Sequence, residues 1–186
     1  MRSLKCTFGM VVLASVVGAS IAPAQSGVAV GYTDVGPVIG LGGIGGASIA
    51  LGGRFEKVIK PLPDMGDGLL GIQVSADWWT WDHNNFGGNS SGVSYFAIGV
   101  TANYHFRTEN RKLDPFVGAG LGYQIVSASC VINGIDYCGS YSSEIYFIAK
   151  AGLRYFTSES LALYGDVGAG AATLNLGVMF RMKGGS

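Results

Sequence analysis

The chain has 186 residues, of which 48% are hydrophobic and 13% charged, with 31 glycines and Lys+Arg equal to Asp+Glu at 12 each. A soluble domain carries about 25% charged residues and about 7% glycine, so this composition is not that of an ordinary soluble domain. Disorder requires low hydrophobicity and high net charge, nucleic-acid binding requires a basic surplus, and a membrane helix requires an apolar run of about 18 residues or more; the chain beyond its N-terminal segment has none of these.

The N-terminus sets the compartment. Arg2 and Lys5 precede an apolar stretch from Phe8 to Ala22, and Ala22-Pro23-Ala24 reads as a small-x-small cleavage site. This is the anatomy of a secretory signal peptide over residues 1–24, with Gln25 as the first mature residue. The stretch is too short for a membrane anchor and ends in a proline. Cys6 leaves with the peptide, and Cys130 and Cys138 remain, flanked by Asn133, Gly134 and Gly139. Two neighbouring cysteines in an exported chain predict a structural disulfide closing a loop. Residues 25–183 then form one domain, and Gly184–Ser186 a flexible tail or linker remnant.

A period of two runs through the mature chain and predicts eight strands, near 27–33, 46–57, 68–81, 94–106, 115–127, 143–156, 160–168 and 172–182. In the fourth, Phe96, Ile98, Val100, Ala102, Tyr104 and Phe106 share one face. Gly118, Gly120 and Gly122 in the fifth argue against helix. Across the strands one set of positions is bulky and apolar, including Val28, Val30, Tyr32, Leu51, Phe55, Val74, Trp78, Leu121, Leu163 and Leu176. The opposite set receives Arg54, Glu56, Asp77, Glu144, Lys150, Arg154, Asp166 and Arg181, four acids and four bases, and no charge is counted in the apolar set.

That partition selects among architectures. A soluble lipid-carrying barrel would force the bulky set into an interior only just wide enough for side chains, and an open sandwich would need polar outer faces. Small and polar inside, bulky and apolar outside, suits an all-β, eight-stranded antiparallel up-and-down transmembrane β-barrel. Aromatics fall into two girdles: Phe55, Tyr104, Phe106, Tyr155 and Phe180 at one end, Tyr32, Trp78, Phe96, Tyr123 and Phe147 at the other. With the N-terminus in the periplasm, the first (34–45), third (82–89) and fifth connections face outward, and Thr157-Ser158-Glu159 is a tight inner turn. The second connection, 60–67, is longer than this scheme prefers.

The run Pro115-Phe116-Val117-Gly118-Ala119-Gly120-Leu121-Gly122-Tyr123 and the final strand Leu174-Asn175-Leu176-Gly177-Val178-Met179-Phe180 resemble the small eight-stranded outer-membrane β-barrel proteins of the OmpX and OmpA-barrel type. The resemblance implies residence in the outer membrane of a diderm bacterium. It implies outer-membrane lipid and lipopolysaccharide as surroundings, the outer-membrane assembly machinery as a transient partner, and an extracellular or envelope protein as a partner for the outer loops. In one respect the chain departs from the family, which usually ends at its terminal aromatic: here Arg181–Ser186 follow Phe180.

Little points to chemistry. Gly40-Leu41-Gly42-Gly43-Ile44-Gly45 matches a phosphate-cradling pattern by letter, but lacks the strand, helix and acid that pattern needs. The eight inward charges read as a self-neutralising plug in preference to a pore, because an unpaired buried charge costs several kcal/mol; Lys150 and Asp166 are placed to face each other. His105 falls inward at the periplasmic end of its strand, and His83 lies beside Asp82 in an outer loop, with no spacing that compels catalysis. Trp79 and Trp81 form a candidate mouth site. No metal constellation, cofactor site or nucleic-acid surface emerges. The expected function is a structural or surface-interaction role through the outer loops, with a narrow channel for small or hydrophobic solutes and a lipid-modifying enzyme as alternatives.

Overall fold

The computed structural model describes residues 27–44, 47–85, 89–132, 135–136 and 140–182, with side chains described over 27–44, 47–81, 92–128 and 142–182. The signal peptide, the 184–186 tail, Cys138, the Cys130 and His83 side chains, and with them the expected disulfide, lie outside the described residues.

The alternating segments pair into one antiparallel sheet. β1 spans Thr33–Leu41, β2 Ala50–Leu62, β3 Gly68–Asn85, β4 Asn89–His105 and β5 Leu113–Ile132. β6, Ile135–Asp136, is a stub that pairs back on the tip of β5. β7 spans Ser140–Phe156, β8 Leu161–Ala169 and β9 Leu174–Arg181. Neighbours follow chain order, β4-β3-β2-β1-β9-β8-β7-β5, and pairing of β4 with β5 closes the ring. Apart from the β6 stub, this is a closed eight-stranded up-and-down barrel with no free sheet edge around the belt.

The first strand is not where the alternation predicts it. Segment 27–33 precedes the barrel except for its last residue, and β1 runs on from there through Asp34, Gly36, Pro37 and Gly40, a stretch that reads locally as a loop. It becomes a strand because closure supplies a partner on each edge. Proline has no N–H for a ladder, and the β1–β9 pairing skips Gly36 and Pro37 while the β1–β2 pairing runs through both. At Gly36 a Cβ would stand 1.8 Å from the Val178 carbonyl oxygen, so only glycine allows β9 to approach. The first outer connection is therefore 42–49, and Tyr32 leaves the upper girdle. Its ring is 4% exposed, lies edge-on to Phe156 at 6.0 Å, and sits beneath the barrel.

The two ends differ. At the end holding Thr33 and Arg181, the turns are short and hydrogen-bonded. Thr157 N–H reaches the Leu161 carbonyl at 3.0 Å, and Leu113 N–H reaches Asn110 at 2.9 Å. The longer second connection folds as a 3-10 turn, Pro63–Met65, ended by Gly66 and Asp67 at φ 73° and 57°. At the opposite end β3, β4, β5 and β7, of 18, 17, 20 and 17 residues, outrun β1, β8 and β9, of 9, 9 and 8. The last β2 partner of β3 is Leu51 at Trp78, and the first β8 partner of β7 stands at Ala149. Beyond those points four strands continue as a raised sheet.

Facing follows the period of two. Leu51, Val74, Val100, Leu121, Leu163 and Leu176 keep 46–57% of their surface exposed, forming the apolar outer belt. Lys57 corrects the charge-free reading of that set: it shares the outward phase of β2, is exposed, and pairs with Thr33 at the short-turn end. A lysine at that level reaches the aqueous interface with its amine while its stem stays against lipid.

Candidate functional site

The interior is built from inward positions that local alternation sets and ring closure brings together. Its centre is Arg154 on β7, with no exposed surface. Its Nε lies 3.0 Å from Asp34 Oδ2 on β1, and Nη1 donates to Asp114 Oδ2 on β5 at 2.9 Å. Nη2 donates to Glu56 Oε2 on β2. His105, the last residue of β4, has Nε2 at 2.7 Å from Glu56 Oε1 and Nδ1 at 2.9 Å from Asp114 Oδ1. Both ring nitrogens of His105 are thus engaged by carboxyl groups from neighbouring strands. Three acidic side chains thus surround one guanidinium and one imidazole, and Tyr32 donates its hydroxyl to Asp34 at 3.0 Å.

Neutral amides complete the coordination. Gln73 Nε2 and Asn103 Nδ2 each donate to Glu56 Oε2 at 2.9 Å. The rings of Phe116 and Tyr164 flank the Arg154 guanidinium, 5.1 and 5.7 Å from its carbon to their centroids. A second cluster lies toward the raised sheet. Arg54 donates to Asp77 at 2.8 Å and to Asn175 at 3.1 Å. Asn175 donates in turn to Asp166 at 2.8 Å, and Tyr164 donates its hydroxyl to the same carboxylate. Lys150 donates to Gln73 Oε1, so Gln73 links the clusters. Above them Ile44, Ala50, Trp79, Ala97 and Ala172 form an apolar cap, with Trp79 stacked on Tyr95 at 5.0 Å and 5°.

The glycines make room for these long side chains. A Cβ at Gly52 would stand 2.2 Å from Asp77 Oδ1, one at Gly71 2.2 Å from Glu56 Oε1, and one at Gly118 2.1 Å from Asn103 Oδ1. In a narrow barrel, inward glycine on one strand is what admits an arginine or glutamate from the next.

Of the eight expected lumen charges, Arg54, Glu56, Asp77, Arg154 and Asp166 are buried together, and Lys150 joins them half-buried. Two do not. Glu144 is exposed in the raised sheet, where Gln124 approaches it at 3.5 Å. Arg181 is exposed at the short-turn end, over the Tyr32 ring at 5.3 Å. Lys150 donates to Gln73 and forms no ion pair with Asp166 within 4.0 Å, although the register, with Lys150 opposite Gly168 and Asp166 opposite Gly152, makes the two diagonal neighbours on the inward face.

The network also contains groups the sequence reading left out. Asp34 was hidden by the misplaced first strand, and Asp114 by the turn-like Asp114-Pro115 pair. Gln73, Asn103 and Asn175 carried a usable signal: each stands in the inward phase of an otherwise apolar strand. The girdle residues Phe55, Trp78, Phe96, Phe106, Tyr123, Phe147, Tyr155 and Phe180 are all exposed on the outer face, with Tyr104 half-buried there. Trp79 is buried in the cap, whereas Trp81 is 41% exposed above it.

A closed ring of eight strands, apolar outside and charged inside, defines the class: a transmembrane β-barrel of the bacterial outer-membrane type. Three solved structures are similar to it. Ail, the attachment invasion locus protein of Yersinia pestis, crystallised with the heparin analogue sucrose octasulfate, matches at 11% identity and a TM-score of 0.52, over 81% of this chain and 97% of that one. The N-terminal β-barrel domain of Pseudomonas aeruginosa OprF matches at 20% identity and 0.49, over 82% and 98%. Neisserial surface protein A matches at 18% identity and 0.46, over 82% and 94%. No protein-family model and no curated protein sequence matches the chain.

Proposed function

We propose that this protein holds the raised sheet of β3, β4, β5 and β7 out from the bacterial surface as an interaction surface, above a lumen closed to ions by paired charges. The observation that carries the reading is the asymmetry of strand length. Strands need only about 9–11 residues to cross a bilayer, and β1, β8 and β9 stop there while their counterparts run to 17–20. Strand built beyond the membrane serves what lies beyond it. Outer-membrane barrels keep short turns on the periplasmic side, which turns the raised sheet outward.

The partner we propose is an extracellular or envelope protein, with lipopolysaccharide meeting the upper girdle of the belt and the assembly machinery acting during insertion. The Ail structure holds a polyanionic sugar, but here the raised sheet carries Glu144 and no lysine or arginine among its described side chains. A polyanion is therefore not the proposed ligand. Trp81, exposed on the inner side of the sheet, is proposed as an anchor, and Trp79 as part of the cap beneath it. His105 has both ring nitrogens engaged by carboxyl groups and is proposed as part of the charge network.

The test replaces residues 79–95 by a two-residue Asn-Gly turn and shortens β5 and β7 to match. Cells displaying the full chain should bind a panel of matrix and serum proteins, and cells displaying the trimmed barrel should not, while both keep heat-modifiable gel migration. Equal binding by both would sink the proposal.

A further inference from the structure

The turn joining β4 to β5 carries Arg107 and Arg111, and both line a cavity of about 250 Å3 beneath the barrel at the short-turn end. Arg107 uses one donor, its Nε, on the Asp67 carbonyl at 2.6 Å. Arg111 has no hydrogen bond or ion pair among the described residues. The carboxylate in the cavity wall, Asp114, is already engaged by Arg154 and His105. Neither arginine forms an ion pair within 4.0 Å among the described residues, with Glu109 standing between them in the turn and Asp67 beside Arg107. Thr108 fixes the turn from within, its hydroxyl reaching the Asn110 and Leu113 carbonyls at 2.9 Å each.

The same cavity has an apolar side. Val28 and Leu69 line it, and so does Phe106, which is 46% exposed and meets Tyr104 edge-on at 4.8 Å. That pair belongs to the lower aromatic girdle, the level at which rings sit among lipid headgroups. Lys57 and Lys60, exposed at the same end, extend the positive rim.

We propose that this cavity binds a phosphate-bearing anion through Arg107 and Arg111, and that its source is the headgroup of an anionic phospholipid in the leaflet facing the short turns. Guanidinium forks match phosphate oxygens in geometry and strengthen the bond by charge. The girdle beside the cavity sets the phosphate at headgroup depth and leaves the acyl chains against the barrel wall. The site rests on the barrel's place in a bilayer and not on the role given to the raised sheet, so either idea can fail alone.

The test is native mass spectrometry of the full folded chain in detergent micelles doped with either dioleoylphosphatidylglycerol or dioleoylphosphatidylcholine. The phosphatidylglycerol adduct should dominate, and Arg107→Ala with Arg111→Ala should weaken it about thirtyfold, as two basic groups near a lipid surface do. Lys57→Gln with Lys60→Gln should leave it in place. Heat-modifiable migration checks that each variant is folded, and Arg107→Lys with Arg111→Lys should restore part of the binding. Equal adducts from both lipids, or an unchanged adduct in the alanine pair, overturn the site. Equal loss in the Lys57→Gln, Lys60→Gln variant reduces it to nonspecific attraction by the rim and overturns it too. Inorganic phosphate is the second probe: displacement of bound lipid supports the shared chemistry, and arginine-dependent phosphate binding without any lipid adduct overturns the lipid source.

Discussion

Arg154 shows how one buried side chain organises the barrel. It holds Asp34, Glu56 and Asp114 from three strands and has no exposure. Removing one partner of a buried ion pair costs about 3–5 kcal/mol, because the remaining charges lose their compensation. Arg154→Ala should lower stability by about that amount, read as a reduced urea midpoint for loss of heat-modifiable migration. Arg154→Lys should recover only part, since an ammonium cannot present the planar fork. A midpoint unchanged in the alanine variant would show that the three carboxylates do not depend on it. The adjacent tryptophans test the facing assignment directly. Trp78 is 48% exposed on the outer belt and Trp79 is 3% exposed in the cap. In single-tryptophan variants, brominated lipid should quench Trp78 strongly and Trp79 weakly. Equal quenching would mean that the phase of β3 is wrong.

At the scale of elements, register explains what residue types alone do not. β5 carries inward glycines where β4 comes closest: a Cβ at Gly120 would stand 2.0 Å from the Val100 carbonyl oxygen. Backbone cannot yield as a flexible side chain does, so Gly120→Val should slow or block insertion into detergent micelles. Gly53→Val, at an outward position with its nearest neighbour 3.9 Å away, should insert normally. Insertion of both at the same rate would show that β4 and β5 tolerate wider spacing. β1 teaches the complementary lesson. Its Asp34, Gly36, Pro37 and Gly40 deny it a strand signature, yet β2 and β9 hold it on both sides. Most of the other strands were legible because a half-buried strand writes its facing into every second residue. The network was half legible for the same reason: phase says which residues point inward, but not which inward residues meet.

On the scale of the whole molecule, the interior reads as two linked charge clusters under an apolar cap. Taken with the narrow bore of eight strands, this gives a barrel expected to be silent in planar-bilayer recording. Trp79→Ala should remain silent as well, since the charges below the cap still fill the lumen at their own level. Stable unitary steps from the intact chain would remove the closed-lumen proposal, while steps only from the alanine variant would shift the seal to the cap. The raised sheet is independent of that outcome. Its four strands continue past the belt whether or not the lumen conducts, and the trimmed barrel tests them separately.

The sequence by itself determined the architecture: the number of strands, the facing of all but the first, the lipid-exposed belt and six of the inward charges. These are local properties, carried by a period of two that needs no knowledge of partners. Only the tertiary structure decided where β1 begins, that Tyr32 lies under the barrel, and that Lys150 meets Gln73 while Arg154 gathers Asp34, Glu56 and Asp114. Those outcomes depend on ring closure and register, which set strands remote in sequence side by side and fix the height at which each side chain enters the lumen.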